Sequence, residues 1–379
     1  MPKYAYDRLS ALGWVAGAAI VALCFAVSPN YDWYPERTAP YAGDFVHEYA
    51  AGWLVRTGDP ARVYDLGRFT AAQHDPGLVG FSYPGDQFFQ ALHPPFYYQW
   101  VEPLSLLDFR TAAHVWAALG VAALVASIAL LSDQWLRPWL GWLVALSIFY
   151  IPVAETLVSG QKSTLLLLLF TCTYLLLASG KPVAAGAVFG CIALKPQLLL
   201  VVSLVMLSKR EWRFVAGIAV AGVLLGAQSL LMGWDACTAW LASIKDPFPQ
   251  AKLVGRSHSW LGFVQLLTSE GGGPLVLGLT AVLILATGVV LFRLLRGRFD
   301  YGSRRFAVQF SAMVLATPLV SPYLYKTYDM AIFVLPLVLL AREIPATRPE
   351  RRIWLIALAL VFAMGGLSPE LSSHLPVQL

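Results

Sequence analysis

Three side chains able to hold a proton or a metal ion stand close together early in the chain. Asp44, His47 and Glu48 lie within the stretch YAGDFVHEYAAGW. The spacing from residue 44 to residue 55 is helical, which places the three side chains on one face of a predicted helix. Two carboxylates and an imidazole could hold a divalent cation there, whereas Asp44 alone could cap the helix or pair with an arginine. Because the second histidine of a His-Glu-x-x-His motif is missing, we predict no metal and no other cofactor.

The composition places these residues in a membrane protein. Hydrophobic residues make up 58% of the 379 residues, charged residues only 13%, and the mean hydropathy is +0.63. Soluble domains are roughly a quarter charged. The net charge of +5 therefore reflects membrane topology, and no nucleic-acid partner is expected. No Walker loop or dinucleotide-binding glycine pattern is present, which disfavours a nucleotide-sugar donor.

Apolar segments long enough to cross a bilayer, which takes about 20 residues, alternate with short polar connectors. We predict an all-α polytopic fold with about 11 transmembrane helices, in a range of roughly 9 to 12, forming a single integral domain over residues 1–379. The predicted spans are residues 11–28, 111–131, 138–153, 163–178, 183–194, 197–208, 213–232, 274–293, 306–321, 328–341 and 353–367.

Basic residues predict the orientation of these spans, because translocated loops are poor in lysine and arginine. With the amino terminus in the cytoplasm, 16 of the 27 basic residues fall in cytoplasmic connectors and 16 of the 22 acidic residues fall outside. Two long outer loops result, residues 30–109 and residues 233–273. The first is rich in aromatic residues and is predicted to form short interfacial helices.

Lys195 lies inside an apolar stretch that is too short for two full spans. Proline cannot donate a backbone hydrogen bond, so the Lys195-Pro196 pair predicts two short helices that meet within the membrane or at its outer boundary. An ionisable residue at that depth is a functional candidate, and the alternative is a lysine that extends to the interface. His93, followed by two prolines, is interpreted as a residue that shapes a turn.

Seven segments, taken in order, resemble one enzyme family. They are GDFVHEYAAGWLVRTGDPARVYD, HPPFYYQWVEPLSLLD, SGQKSTLLLLL, AAGAVFGCIALKPQLLL, KREWR, SHSWLGFVQLL and SPYLYKTYD. Their order and spacing over most of the chain are similar to those of glycosyltransferase family 87, bacterial membrane transferases of the GT-C fold that depend on polyprenyl-phosphate sugars. The family usually shows Gly-Gln-x-Asn where this chain has Gly-Gln-Lys-Ser at residues 160–163.

The resemblance implies a GT-C-like bundle and a mannosyltransferase-like reaction. A sugar, mannose or another hexose or pentose, would move from a polyprenyl-phosphate donor to a glycolipid, glycan or protein acceptor at the outer face of the bacterial cytoplasmic membrane. Asp44 matches the family's aspartate in the first outer loop and is expected to be the general base. The expected ligands of the donor phosphate are Lys195, His258, Lys326 and Arg256. Further substrate contacts are expected at His47, Glu48, Gln161, Lys162 and Tyr325.

Two other functions fit the same sequence. Broken helices and an intramembrane lysine are expected of a flippase or transporter of lipid-linked sugars. The long first loop and the lack of an internal repeat argue against that reading. A non-catalytic membrane assembly subunit remains the third reading, and it would hold if Asp44 were remote from any site able to bind substrate.

Overall fold

A computed structural model describes residues 10–19, 43–80, 90–132, 136–245, 257–268, 272–321, 326–342, 351–356 and 358–363. Every regular element among these residues is a helix, which confirms the all-α prediction. The α-helices are α1 (Ser10–Ala19), α2 (Phe45–Arg56), α3 (Leu66–Gln73), α4 (Pro76–Val79), α5 (Pro95–Val101), α6 (Phe109–Leu131), α7 (Leu140–Phe149), α8 (Ile151–Val158), α9 (Ser163–Ala178), α10 (Pro182–Gly190), α11 (Leu200–Ser208), α12 (Trp212–Leu231), α13 (Trp234–Lys245), α14 (Trp260–Thr268), α15 (Pro274–Leu294), α16 (Arg304–Val320) and α17 (Val334–Arg342). Residues 351–356 and 358–363 are also helical.

Fewer helices are long and apolar enough to cross a membrane than the sequence predicted. Within the described ranges α6, α12 and α15 meet both conditions, and α7 with α8 adds a fourth span if this pair, bent by 75°, crosses as one unit. Among the described residues the predicted count of about 11 is therefore not reached. The reason is that several apolar segments are interrupted. α8 begins with a proline in its first turn after the bend from α7, α10 gives way to a 3-10 turn over Cys191–Leu194, and α11 is only 9 residues long.

The predicted helix break at Lys195 is confirmed. α10 continues into a 3-10 turn over Cys191–Leu194, and a second 3-10 turn over Pro196–Leu199 leads into α11. α10 also packs so closely on α12 that a Cβ atom at Gly186 would collide with the backbone oxygen of Phe214. Small residues allow this close approach of helix backbones. The break is thus attached to a long membrane helix and holds Lys195 in a fixed place.

α2 is the buried helix of the first loop. Phe45, Val46 and Ala50 have no exposed surface, and the Phe45 ring stacks on Trp116 of α6 with ring centroids 5.8 Å apart. Gly52 lets the helix approach the segment after α5, since a Cβ atom there would lie 3.0 Å from the Glu102 Cα. The predicted helix from residue 44 to 55 is confirmed, and its packing fixes the direction of the side chains in its first turn.

The start of α2 is held against the connector between α8 and α9. The Asp44 amide donates a hydrogen bond of 2.9 Å to the Ser159 carbonyl. Gly43 precedes it with a φ of +58°, and a Cβ atom at this glycine would lie 2.8 Å from the Ser159 Cα. A glycine is therefore required both by the backbone conformation and by the close contact.

Candidate active site

Asp44 occupies the cap position of α2, but its side chain makes no capping bond. It accepts a hydrogen bond from the Gln161 side-chain amide instead, and it keeps part of its surface exposed. Burial raises the pKa of Asp44, while the charge of Lys326 and the Gln161 hydrogen bond partly oppose that rise. The result is an oriented carboxylate with accessible surface and increased basicity.

Glu48 lies one turn further along α2 in a closed environment. The residue is 3% exposed, and its carboxylate forms an ion pair with Lys162, which is 2% exposed. The His47 Nδ1 lies 3.5 Å from the same carboxylate, and the His47 Nε2 lies 3.2 Å from the Tyr98 hydroxyl. Burial alone would raise the pKa of Glu48, but the charges of Lys162 and His47 outweigh it and hold the pKa well below its usual range.

His93, which the sequence predicts to shape a turn, also contacts this buried pair. Its Nε2 lies 2.8 Å from the Lys162 Nζ, and its Nδ1 lies 2.8 Å from the Leu194 carbonyl. A carbonyl oxygen can only accept, so Nδ1 carries the proton and Nε2 accepts from the ammonium. Burial, followed by the nearby charge of Lys162, lowers the pKa of His93 well below its ordinary value and keeps the ring neutral.

Lys195, at the helix break, forms an ion pair with Asp329. Both residues are buried, and the Ser163 hydroxyl lies 3.4 Å from the same Asp329 oxygen. The Lys195 ammonium also lies 5.0 Å from the centre of the Tyr328 ring. The charge of Lys195 is therefore already balanced by a carboxylate that the sequence did not single out.

Lys326 and His258 lie beside this second pair. The Lys326 ammonium is 5.7 Å from the Tyr328 ring centre and interacts electrostatically with Asp44 and Glu155, yet no carboxylate of the described residues lies within salt-bridge distance of it. The His258 Nε2 lies 3.4 Å from the Thr327 hydroxyl. Burial lowers the pKa of His258 to about 4, so its imidazole is neutral near pH 7 and offers a hydrogen bond without a positive charge.

The structure brings together eight of the ten residues predicted for the site. These are Asp44, His47, Glu48, Gln161, Lys162, Lys195, His258 and Lys326, which are linked through the contacts described above; the other two, Arg256 and Tyr325, lie outside the described residues. Within the described part of the chain, no group of three or more histidine, cysteine, aspartate or glutamate side chains could hold a metal ion.

Comparison with known proteins gives the family. The model of glycosyltransferase family 87 matches residues 91–322, more than half of the 379 residues. The chain belongs to glycosyltransferase family 87. No curated protein and no solved structure matches it. Membership in this family implies a membrane glycosyltransferase.

The match to glycosyltransferase family 87 covers only part of the candidate site. It includes His93, Gln161, Lys162, Lys195 and His258, but it begins after α2 and ends before Lys326. The part of the site formed by Asp44 and Glu48 therefore depends on the structure, which packs α2 onto the matched region through Gln161 and Lys162.

Three participants were missed by reasoning from the sequence. His93 and Tyr97, whose hydroxyl lies 3.3 Å from the Lys162 Nζ, are found in HPPFYY, and Asp329 ends SPYLYKTYD. All three therefore belong to segments that carry the resemblance. The signal that could have identified Asp329 is the buried lysine itself, because a charge in an apolar segment needs a partner. No comparable signal pointed to His93, whose neighbour Lys162 is 69 residues away in the chain.

Proposed function

We propose that this protein transfers a sugar from a polyprenyl-phosphate donor to an acceptor hydroxyl at the outer face of the cytoplasmic membrane, with Asp44 as general base. The observation that carries the proposal is the state of Asp44. It is a partly exposed carboxylate that is oriented by the Gln161 amide and interacts electrostatically with Lys326, a lysine with no salt bridge to any described carboxylate. A base needs accessibility, orientation and a raised pKa, and this residue combines them.

The reaction proposed is a single displacement. The acceptor oxygen bonds to the anomeric carbon while Asp44 takes the hydroxyl proton, and the bond between that carbon and the phosphate oxygen breaks. The electron pair leaves with the polyprenyl phosphate, so the anomeric configuration inverts. Cations and hydrogen-bond donors near the phosphate stabilise the charge that develops on it.

We assign the first contact of the donor phosphate to Lys326. It carries a positive charge that no described carboxylate neutralises at salt-bridge distance, and this charge interacts with Asp44. His258 supplies a neutral hydrogen bond two residues from Arg256, which we retain as a phosphate ligand together with Tyr325 beside Lys326. Lys195 is a secondary ligand in this proposal, because the phosphate must share its ammonium with Asp329.

The proposed topology follows the distribution of basic residues. The amino terminus lies in the cytoplasm, the chain forms a single integral membrane domain, and the loop carrying α2 faces outside. The donor reaches the site from the lipid phase, because its polyprenyl tail stays in the bilayer. The acceptor is a glycolipid, a glycan or a protein, and membrane lipids surround the bundle.

The decisive experiment replaces the base. Asp44→Asn keeps the size and one oxygen of the side chain but cannot take the proton, so transfer should fall by about 10²- to 10⁴-fold. The assay follows transfer from polyprenyl-phosphate mannose and polyprenyl-phosphate arabinose to glycolipid acceptors by purified protein in liposomes. Asp59→Asn, an exposed aspartate in the same loop paired with Arg62, is the matched control and should keep wild-type activity.

The same preparation separates the competing function. A flippase would move the donor across the liposome bilayer without transferring sugar, and the helix break at Lys195 is the feature that favours it. Donor translocation without transfer would replace the proposed function. Transfer at the wild-type rate by Asp44→Asn would leave a transferase but remove Asp44 as its base.

A further inference from the structure

Three polar side chains of the site, two of them buried, have no part in the proposed reaction. Lys162 and Glu48 are 2% and 3% exposed, and His93 contacts the lysine. Burial of charged groups is costly unless they are paired and hydrogen-bonded. A cluster of this kind beside a catalytic residue needs a function other than contact with the substrate.

The Lys162 ammonium uses all its donors on protein groups. It pairs with the Glu48 carboxylate, donates to the His93 Nε2 at 2.8 Å and lies 3.3 Å from the Tyr97 hydroxyl. An ammonium has three donors and no acceptor, so none is left for a ligand. Lys162 is thus a junction between three chain segments rather than a phosphate ligand.

His93 extends this junction to the helix break. Its Nδ1 donates to the Leu194 carbonyl, and Leu194 immediately precedes Lys195. At the other end of the cluster, Gln161 precedes Lys162 and donates to Asp44. The side chains of Lys162 and His93 therefore connect the segment that orients the proposed base with the segment that carries Lys195, which pairs with Asp329 near Lys326.

We propose that Lys162 and His93 are positioning residues that fix the distance between Asp44 and the donor-phosphate side of the site. The inference rests on the proposed function, since it concerns where that base stands relative to the donor. Its physical basis is the steep dependence of rate on geometry: a displacement of about 1 Å can cost about 10²-fold in rate. Buried hydrogen bonds between rigid segments are suited to hold such a distance.

His93 can be tested by removing its two bonds separately. His93→Phe keeps an aromatic ring and removes both. His93→Asn places an amide near the Nδ1 position and can keep the bond to Leu194, whereas His93→Gln reaches the Nε2 position and can accept from Lys162. We expect His93→Phe to lower kcat by about 10- to 100-fold with little change in the donor KM. Asn and Gln should each restore part of the loss.

A second set of variants shows whether the two residues act together. Lys162→Met together with Glu48→Gln removes both charges at once, so that neither is left buried and unpaired. Combined with His93→Phe, this pair should lower kcat by much less than the product of the separate effects, because both changes break one connection. Independent, multiplicative losses would contradict the inference. All rates are normalised to folded protein recovered as a single peak in size-exclusion chromatography.

The control is His114→Phe, which changes an exposed histidine on α6 whose Nδ1 contacts its own helix, and it should keep the wild-type kcat. Wild-type kcat in His93→Phe, or a lower melting temperature without a lower kcat, overturns the positioning role while the proposed function stands if Asp44→Asn is inactive. Full transfer by Asp44→Asn instead removes Asp44 as the base, the part of the proposed function on which this inference rests. The two failures therefore give different patterns.

Discussion

The surroundings of Asp44 and of Glu48 differ although the two carboxylates lie one turn apart on α2. Asp44 keeps accessible surface, is held by a neutral amide and has a raised pKa, whereas Glu48 is enclosed, is paired with Lys162 and has a lowered pKa. Neighbouring acids whose environments move their pKa values apart are typical of a division of roles. Here the difference separates a group that can exchange a proton from one that holds the structure.

The largest effect is expected on stability, from removing the partner of the enclosed carboxylate, Glu48. Lys162→Met leaves the Glu48 charge buried, and the second oxygen of that carboxylate has no hydrogen-bond partner among the described residues. We expect a loss of about 3–5 kcal/mol in stability. Thermal unfolding in detergent measures it, with Lys181→Met, a lysine in an exposed connector, as the control. Adding Glu48→Gln should recover most of the loss, and no recovery would mean that the ion pair is not the cause.

The second largest effect is expected on donor affinity, at the lysine that interacts with the accessible carboxylate, Asp44. Lys326→Met removes the cation that we assign to the donor phosphate, and a hydrogen bond to a charged group contributes about 1.5–3 kcal/mol. Donor affinity should therefore fall by at least about tenfold. Binding of polyprenyl-phosphate mannose, measured by tryptophan fluorescence, tests this. Unchanged affinity for the donor would transfer the phosphate contact to Lys195 or to a residue outside the described ranges.

A smaller effect is expected where α2 begins. In Gly43→Ala, a residue with a Cβ atom must adopt the left-handed backbone conformation, which costs about 1–2 kcal/mol. The added Cβ atom would also lie 2.8 Å from the Ser159 Cα. Because Asp44 follows directly, kcat should fall together with stability. Gly58→Ala has a φ of +95° but no neighbour within 4 Å of the added carbon, so it should reduce stability alone. Equal kcat in the two variants would show that docking on Ser159 does not position Asp44.

The finest test is the pH dependence of the reaction. Only the ionised Asp44 can accept a proton, so activity is lost as the pH falls through its pKa, and burial places this acid limb above the ordinary aspartate range. The Gln161 hydrogen bond favours the ionised form, so Gln161→Ala should move the limb to higher pH. Profiles of kcat/KM for the two proteins measure the shift. A move to lower pH, or none, would contradict the role of Gln161.

Local features of the site could be predicted from the sequence because they depend on neighbouring residues. Helical spacing predicted α2 and the shared face of Asp44 and Glu48, and Lys195-Pro196 predicted the helix break, both of which are confirmed. Within the described residues fewer full-length spans are found than predicted, since hydropathy alone does not show where 3-10 turns and prolines interrupt a helix. The roles of the site residues stay predictions.

The sequence by itself determined a helical membrane protein, the residues able to do chemistry and the family segments that contain them. Only the tertiary structure decided which lysine meets which carboxylate: Lys162 and Glu48 are 114 residues apart, and Lys195 and Asp329 are 134 apart. It also decided that Asp44, and not Glu48, remains accessible. The physical reason is that pairing and desolvation depend on distances set by helix packing, and those distances bear no fixed relation to separation along the chain.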